Sequence, residues 1–264
     1  WVRSRFMPHI WCPGCGHGVI MHAIIRALIG IGADRKNTVL ASGIGCSSRM
    51  AGYINACTLH STHGRSLAFS TGIKLHRPDL TVVNVMGDGD CTAIGGNHFI
   101  HACRRNIDIT AIVMNNNIYG MTGGQASPTT PVGAFATTTP YGAVDPTFDI
   151  CKLAEGAGAS YVARTTIANP KQAETFIANG IRKKGFSVIE VVTHCHTQFG
   201  RKNNRRLPIE NYKYFKENSI PLALAKDKSP EELAGKIVCG EFVNKDTPEY
   251  TEQYQKLVID KARG

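Results

Sequence analysis

Two short motifs bring together residue types that can do chemistry. GDGD at 87–90 follows the apolar, β-branched run TVVNVM (81–86), and NNN at 115–117 follows DITAIVM (108–114). An aspartate at the carboxyl end of a strand is placed to hold a hard cation, and asparagine and backbone oxygens add neutral ligands. Glycines on either side let a diphosphate approach the backbone closely. Asp88 and Asn116 are 28 residues apart, at the ends of adjacent strands. A ligand-free glycine turn explains GDG alone equally well, but it explains the pair poorly.

Cysteine supplies a second constellation. Cys12 and Cys15 form CPGC, ahead of Gly16 and His17. A pair at this spacing is a zinc half-site, a redox pair or an iron–sulfur half-site, and the pair alone does not choose. Cys46 lies in the tight turn GIGCSS and Cys195 in THCH, directly after SVIEVV. Both fall at strand ends, where the apex of a sheet could gather them. Cys57, Cys91, Cys103, Cys151 and Cys239 sit among apolar or helical neighbours and read as small core residues.

These motifs need a scaffold, and the chain supplies an alternating one. The pattern predicts a helix from His17 to about Leu28, a strand TVLASG (38–43), and a helix over 65–76 ended by Pro78. Strand 81–86, a helix over 92–104 and strand 108–114 follow. Residues 122–146, rich in Gly, Thr and Pro, read as a long ordered loop. A helix over 147–156, a strand near Tyr161–Ala163, a helix over 170–183 and strand 187–192 complete the set. Strand, glycine turn and helix in alternation predict an α/β fold: a mostly parallel sheet with helices on both faces. After His196 the pattern fades. Residues 1–200 are expected as one domain and 201–264 as a C-terminal extension packing on it or on a partner.

Composition narrows the class. Hydrophobic residues make up 42% of the 264 and charged residues 19%, too apolar a mixture for a disordered chain. No apolar stretch approaches the ~18 residues of a bilayer span, so no membrane role is expected. The start, WVRSRFMPHI, has no apolar signal core, and its first residue, Trp1, points to a trimmed chain. Nine cysteines, an odd number without a signal, suggest a reducing, cytoplasmic location. The formal charge of +10 favours anionic partners, whether nucleic acid, a phosphorylated cofactor or an acidic protein.

The segment from GDGD to NNNIYG resembles the thiamine diphosphate-binding motif. The resemblance implies Mg²⁺ on Asp88, the Asn116 side chain and the Ile118 carbonyl, with Gly87, Gly89, Asp90, Gly120 and Thr122 around the diphosphate. WCPGCGHG, IGCSS, HSTHGRS, GDGD and MTGGQASPTTP occur in that order. Together they resemble the beta subunit of a 2-oxoacid:ferredoxin oxidoreductase over about residues 9–200, closest to the 2-oxoglutarate branch. By that resemblance Cys12, Cys15, Cys46 and Cys195 hold one 4Fe–4S cluster. Gly45, Ser47, His63 and Gly64 lie on the cofactor side, and Arg49 and His63 act on the substrate. Gly123, Gly124 and Gln125 read as an active-site loop. Arg201, Lys202, Arg205 and Arg206 read as a solvated run or a docking patch for ferredoxin.

The activity so implied is coenzyme A-dependent oxidative decarboxylation of a 2-oxoacid, 2-oxoglutarate to succinyl-CoA, with reduction of ferredoxin and a possible reverse reductive carboxylation. Thiamine enzymes generally take an activating glutamate from a second domain, and no segment here resembles one. An alpha subunit, in an α2β2 heterotetramer, is therefore implied. Pyruvate or another oxoacid is the nearest alternative. A non-redox thiamine decarboxylase would not need the four cysteines. A zinc-stabilised nucleic-acid binder lacks a second cysteine pair and a basic face interleaved with aromatics.

Overall fold

The computed structural model describes residues 1–263. Its elements run α1 (His17–Gly30), β1 (Thr38–Ser42), α2 (Met50–Tyr53), β2 (Cys57–His60), α3 (Ser66–His76), β3 (Thr81–Gly87), α4 (Asp88–Thr92), α5 (Gly96–Arg105) and β4 (Thr110–Asn115). A short ribbon, β5 (Ile118–Tyr119) and β6 (Gln125–Ala126), precedes α6 (Ile150–Gly156), β7 (Tyr161–Thr166), α7 (Pro170–Arg182), β8 (Ser187–Val192) and α8 (Pro208–Asn218). Strands β9 (Ser219–Pro221) and β10 (Ile237–Asn244) follow.

Among the described residues, eight strands form one sheet in the order β2-β1-β3-β4-β8-β7-β10-β9. Every neighbouring pair is parallel except β7 with β10. Every residue of β1, β4 and β8 is buried, as continuous apolar strands covered on both faces should be. Alternate side chains serve opposite cores. Leu40, Val83, Ile112 and Ile189 meet Ile20, Ile24 and Leu28 of α1 and Ile177 of α7. On the other face Val82, Val113 and Val188 meet Leu67 of α3, Phe99 of α5 and Cys151 of α6. Each fully buried Ile, Leu or Phe contributes about 1.5–3 kcal/mol.

Local chemistry sets the element ends. Asp149 caps α6 by accepting from the Cys151 and Lys152 amides, and Asn169 caps α7, which opens on Pro170. Several elements differ from the sequence expectation. The helix expected over 92–104 is two helices: α4 starts at Asp88 directly from β3, and the chain breaks at Ala93–Gly95. Gly95 lets the chain turn close against α4 at the break, since a Cβ there would stand 2.2 Å from the Asp90 carbonyl oxygen. Strand β2 had no apolar run to reveal it, because it is an exposed edge. Beyond residue 200, β10 extends the sheet antiparallel to β7.

The chain leaves β1 for β2 on one side and returns to β3 on the other. That reversal opens a crevice at the carboxyl ends of β1 and β3, where ligands of open α/β sheets sit. The loop 43–48 meets the start of α4 there.

Candidate active site

A cavity of about 110 Å³ lies in this crevice. Gly45, Ser47, His63, Gly87, Asp88, Gly89, Asp90, Asn116, Ile118, Gly120 and Thr122 all line it, together with His17, Ile44 and Tyr119. Gly64 stands behind the wall and contributes its amide to Asp90. Asp88 is buried; its Oδ2 accepts from the hydroxyls of Ser127 at 2.5 Å and Thr129 at 2.8 Å. Burial pushes its carboxyl pKa up, and the two hydroxyls and the Asn116 amide pull it back. The three asparagines divide their work. Asn115 bonds Glu190, Asn116 faces the cavity, and Asn117 takes a left-handed turn with φ of 61°.

Asp90 is also buried. Its Oδ1 accepts from His63 Nδ1 at 2.6 Å, the Gly64 amide at 2.7 Å and the Ile44 amide at 3.3 Å, while Oδ2 has no partner. Burial raises this carboxyl too, against the pull of those donors. The bond fixes the His63 tautomer, turning Nε2 away from Asp90. Tyr119 packs directly against Gly89, where a Cβ would stand 2.2 Å from the ring. Only glycine lets the tyrosine roof the cavity.

A second cavity, of about 300 Å³, adjoins the first and shares His17, Cys46, Asn116, Gly120 and Met121 with it. Cys12, Cys15, Cys46 and Cys195 all line it, with Arg49. A Cβ on Gly120 would stand 3.1 Å from Cys195 Sγ and 3.8 Å from Cys46 Sγ, so the glycine keeps the wall between cavities thin. Burial, reinforced by the neighbouring sulfurs, pushes Cys15 up to about 12 and Cys46 up to about 11. His17 is held neutral, its pKa lowered to about 4 by burial and by His194, and its Nδ1 is 3.5 Å from Cys15 Sγ. The Arg49 Nε is buried without a partner.

No three of the four sulfurs lie within 4.8 Å of one another. A tetrahedral zinc with Zn–S of ~2.3 Å would bring them to about 3.8 Å. Among the described residues, the one trio of ligand atoms that close is Asp149, Cys151 and Glu190, and the Arg164 guanidinium already bonds both its carboxylates.

Residues 43–191 match the model of the thiamine pyrophosphate enzymes' C-terminal TPP-binding domain. The chain is 55% identical to the 2-oxoglutarate synthase subunit KorB of Methanocaldococcus jannaschii, over 98% of this chain and 96% of that one. It is 37% identical to the 2-oxoacid:ferredoxin oxidoreductase beta subunit of a Sulfolobus species, over 86% and 74%. The chain belongs to the family of 2-oxoacid:ferredoxin oxidoreductase beta subunits. A solved 2-oxoglutarate:ferredoxin oxidoreductase from Magnetococcus marinus, with 2-oxoglutarate, coenzyme A and succinyl-CoA bound, superposes with a TM-score of 0.85 at 32% identity. That match covers 97% of this chain and 88% of the other.

In this beta subunit several site residues escaped the sequence reading. Ser127 and Thr129 reach Asp88 from the long loop, where only their small hydroxyls marked them. Thr197 Oγ1 lies 3.9 Å from Cys12 Sγ and 3.5 Å from Cys195 Sγ. His194 donates to the Gly14 carbonyl at 3.0 Å and so holds the CPGC turn. Pro208, at the start of α8, packs on the same turn; a Cβ on Gly14 would stand 2.5 Å from its ring. Glu190 was the clearest signal overlooked, a lone carboxylate inside an apolar strand. Gly123, Gly124 and Gln125 line neither cavity. Of the basic run, Arg205 stacks on Tyr214 at 3.9 Å, while Arg201 and Arg206 are exposed.

Proposed function

We propose that this subunit, joined to an alpha subunit, carries out the coenzyme A-dependent oxidative decarboxylation of 2-oxoglutarate with ferredoxin as electron acceptor. The observation that carries this reading is the adjacency of the two cavities, one lined by acidic and amide oxygens, the other by four thiols, with Cys46, Asn116 and Gly120 in both. Relatives named for 2-oxoglutarate support the substrate.

The donor sets fit the implied cofactors. Asp88, Asn116 Oδ1 and the Ile118 carbonyl offer hard oxygens to Mg²⁺, and a cation there offsets the cost of burying Asp88. Cys12, Cys15, Cys46 and Cys195 share a cavity with no three sulfurs within 4.8 Å of one another, which suits the larger 4Fe–4S cube better than a single zinc. When bound, thiamine diphosphate supplies the electron sink for loss of CO₂, and a cluster supplies one-electron transfer.

The chain's own residues do the rest. Gly45, Ser47, Gly87, Gly89, Gly120 and Thr122 leave room for a diphosphate. Asp90 orients His63, whose Nε2 is free to hold or pass a proton at the substrate end. Arg49, with its unpartnered Nε, takes a substrate carboxylate. Tyr119 shields the cavity from water. Asp88 is committed to the cation and Asp90 to His63, so the glutamate that activates the thiamine comes from the alpha subunit, in an α2β2 assembly. Nine free cysteines favour a reducing cytoplasm, and among the described residues no helix is long and apolar enough to cross a membrane.

The test is anaerobic co-purification with the subunit that accompanies the chain, then a visible spectrum and assays of iron, sulfide and thiamine. Expected are a broad band near ~400 nm, about four irons per beta chain and bound thiamine. Turnover should favour 2-oxoglutarate over pyruvate with coenzyme A and ferredoxin. Zinc in a colourless protein would overturn the cluster, and preference for pyruvate would overturn the substrate.

A further inference from the structure

A chain of polar side chains, largely buried, runs across β7, β8 and β4 to the turn at 115–117, and nothing in the proposed reaction uses it. Glu190 sits in the middle of β8 with its side chain 3% exposed. Its Oε2 accepts from Arg164 Nε of β7 at 2.6 Å. Its Oε1 accepts from Asn115 Nδ2 of β4 at 2.7 Å. Arg164 is held in turn by Asp149, the cap of α6. A carboxylate only accepts, so Glu190 fixes which way the Asn115 amide points. The Asn115 Oδ1 must face away, and there it accepts from the Asn117 amide at 3.1 Å and lies 2.9 Å from Thr129 Oγ1, whose single proton it shares with Asp88.

Both bonds lead to the cation site. The first shapes the turn at 115–117 and so places Asn116. The second places Thr129, whose Oγ1 lies 2.8 Å from Asp88 Oδ2. Burying an ion pair inside a sheet is a poor way to gain stability, since an apolar pair of similar size is often as stable or more so. Charge here does what apolar side chains cannot: it gives an amide one orientation.

We infer that Glu190, seated by Arg164, is a positioning residue for the Mg²⁺ ligands Asp88 and Asn116, acting through the Asn115 amide. The inference rests on the reading of Asp88 and Asn116 as cation ligands. In Glu190→Gln an amide replaces the carboxylate, so it cannot accept from both Arg164 and Asn115. Asn115 is then released to flip, and its NH₂ would face the Asn117 amide, donor against donor.

The probe is Mn²⁺, titrated by electron paramagnetic resonance into the purified alpha–beta complex with thiamine diphosphate present. Glu190→Gln should weaken Mn²⁺ binding about ten-fold, and Thr129→Val should weaken it by removing the hydroxyl that links Asn115 to Asp88. Because the two share one path, the double variant should lose less than the product of the single losses. Mn²⁺ affinity of Glu190→Gln within two-fold of wild type would overturn the inference, as would losses that multiply. If wild type itself fails to bind Mn²⁺, the cation site falls and this inference with it. Should Glu190→Gln not yield folded complex, Glu190→Leu combined with Arg164→Met removes both charges and the acceptor together and is titrated in its place, with the same outcomes.

Discussion

Replacing Asp90 with asparagine separates the stability of this site from its function. The amide keeps the shape of the side chain, and its oxygen still accepts from the Gly64 and Ile44 amides at 2.7 and 3.3 Å. The bond from His63 Nδ1 at 2.6 Å loses its charge-assisted part. A hydrogen bond to a charged group contributes ~1.5–3 kcal/mol against ~0.5–1.5 for a neutral one. His63 is 37% exposed, so water screens the bond and the loss lies at the low end, about 1 kcal/mol. Spent on orienting His63, this weakens binding at the cavity about five-fold.

Stability moves the other way. Burial raises the Asp90 carboxyl above its ordinary value of ~3.9, so its ionisation opposes folding. The wild type is favoured most below that ordinary value and loses stability as pH rises through the raised one. Asp90→Asn removes this loss. Its Tm at pH 7 should therefore be no lower than wild type, and its decline from pH 4 to 8 shallower. Thiamine diphosphate affinity of the complex, measured by calorimetry, should fall about five-fold. A Tm at pH 7 more than ~4 °C below wild type, or unchanged affinity, would refute the reasoning.

Other perturbations test separate parts of the site. Gly89→Ala should cost about 1–3 kcal/mol in denaturant unfolding because its Cβ strikes Tyr119, and should cost far less in a Tyr119→Ala background. Arg164→Met leaves Glu190 and Asp149 without a counter-charge, so it should cost about 3–5 kcal/mol near neutral pH, and denaturation at lower pH should show partial recovery. Cys46→Ser should lower iron and sulfide per chain, whereas Cys57→Ser, on the exposed edge strand, should leave both unchanged. Arg49→Ala should raise KM for the oxoacid about ten-fold with a smaller change in kcat, and Arg49→Lys should restore part of it.

The sheet and the cores were legible because their signals are local. SVIEVV spans the residues of β8, and TVVNVM those of β3 short of Gly87, since strands buried on both faces must be continuously apolar. Helix α7 is marked by its Asn169 cap and Pro170, and α3 by Pro78 just past its end. The edge strand β2 and strands β9 and β10 were not legible. Strand β2 is an exposed edge, β9 has three residues, and β10, though eight residues long, is only partly buried and interrupted by Gly240 and Glu241, so none carries a continuous apolar run.

The sequence by itself determined the kinds of chemistry available: a carboxylate and an amide at adjacent strand ends, and cysteines spaced as a half-site. These are matters of residue type and of separations short enough to be set by one strand and one helix. Only the tertiary structure decided which groups meet. Cys195 comes to Cys46 across some 150 residues of chain, and Ser127 and Thr129 reach Asp88 from a loop with no periodicity. Glu190 reaches the same site through Asn115 because β4 and β8 lie in register, Val113 beside Glu190. Such contacts follow from strand order and register, which are set by how the whole core closes and are written in no single segment.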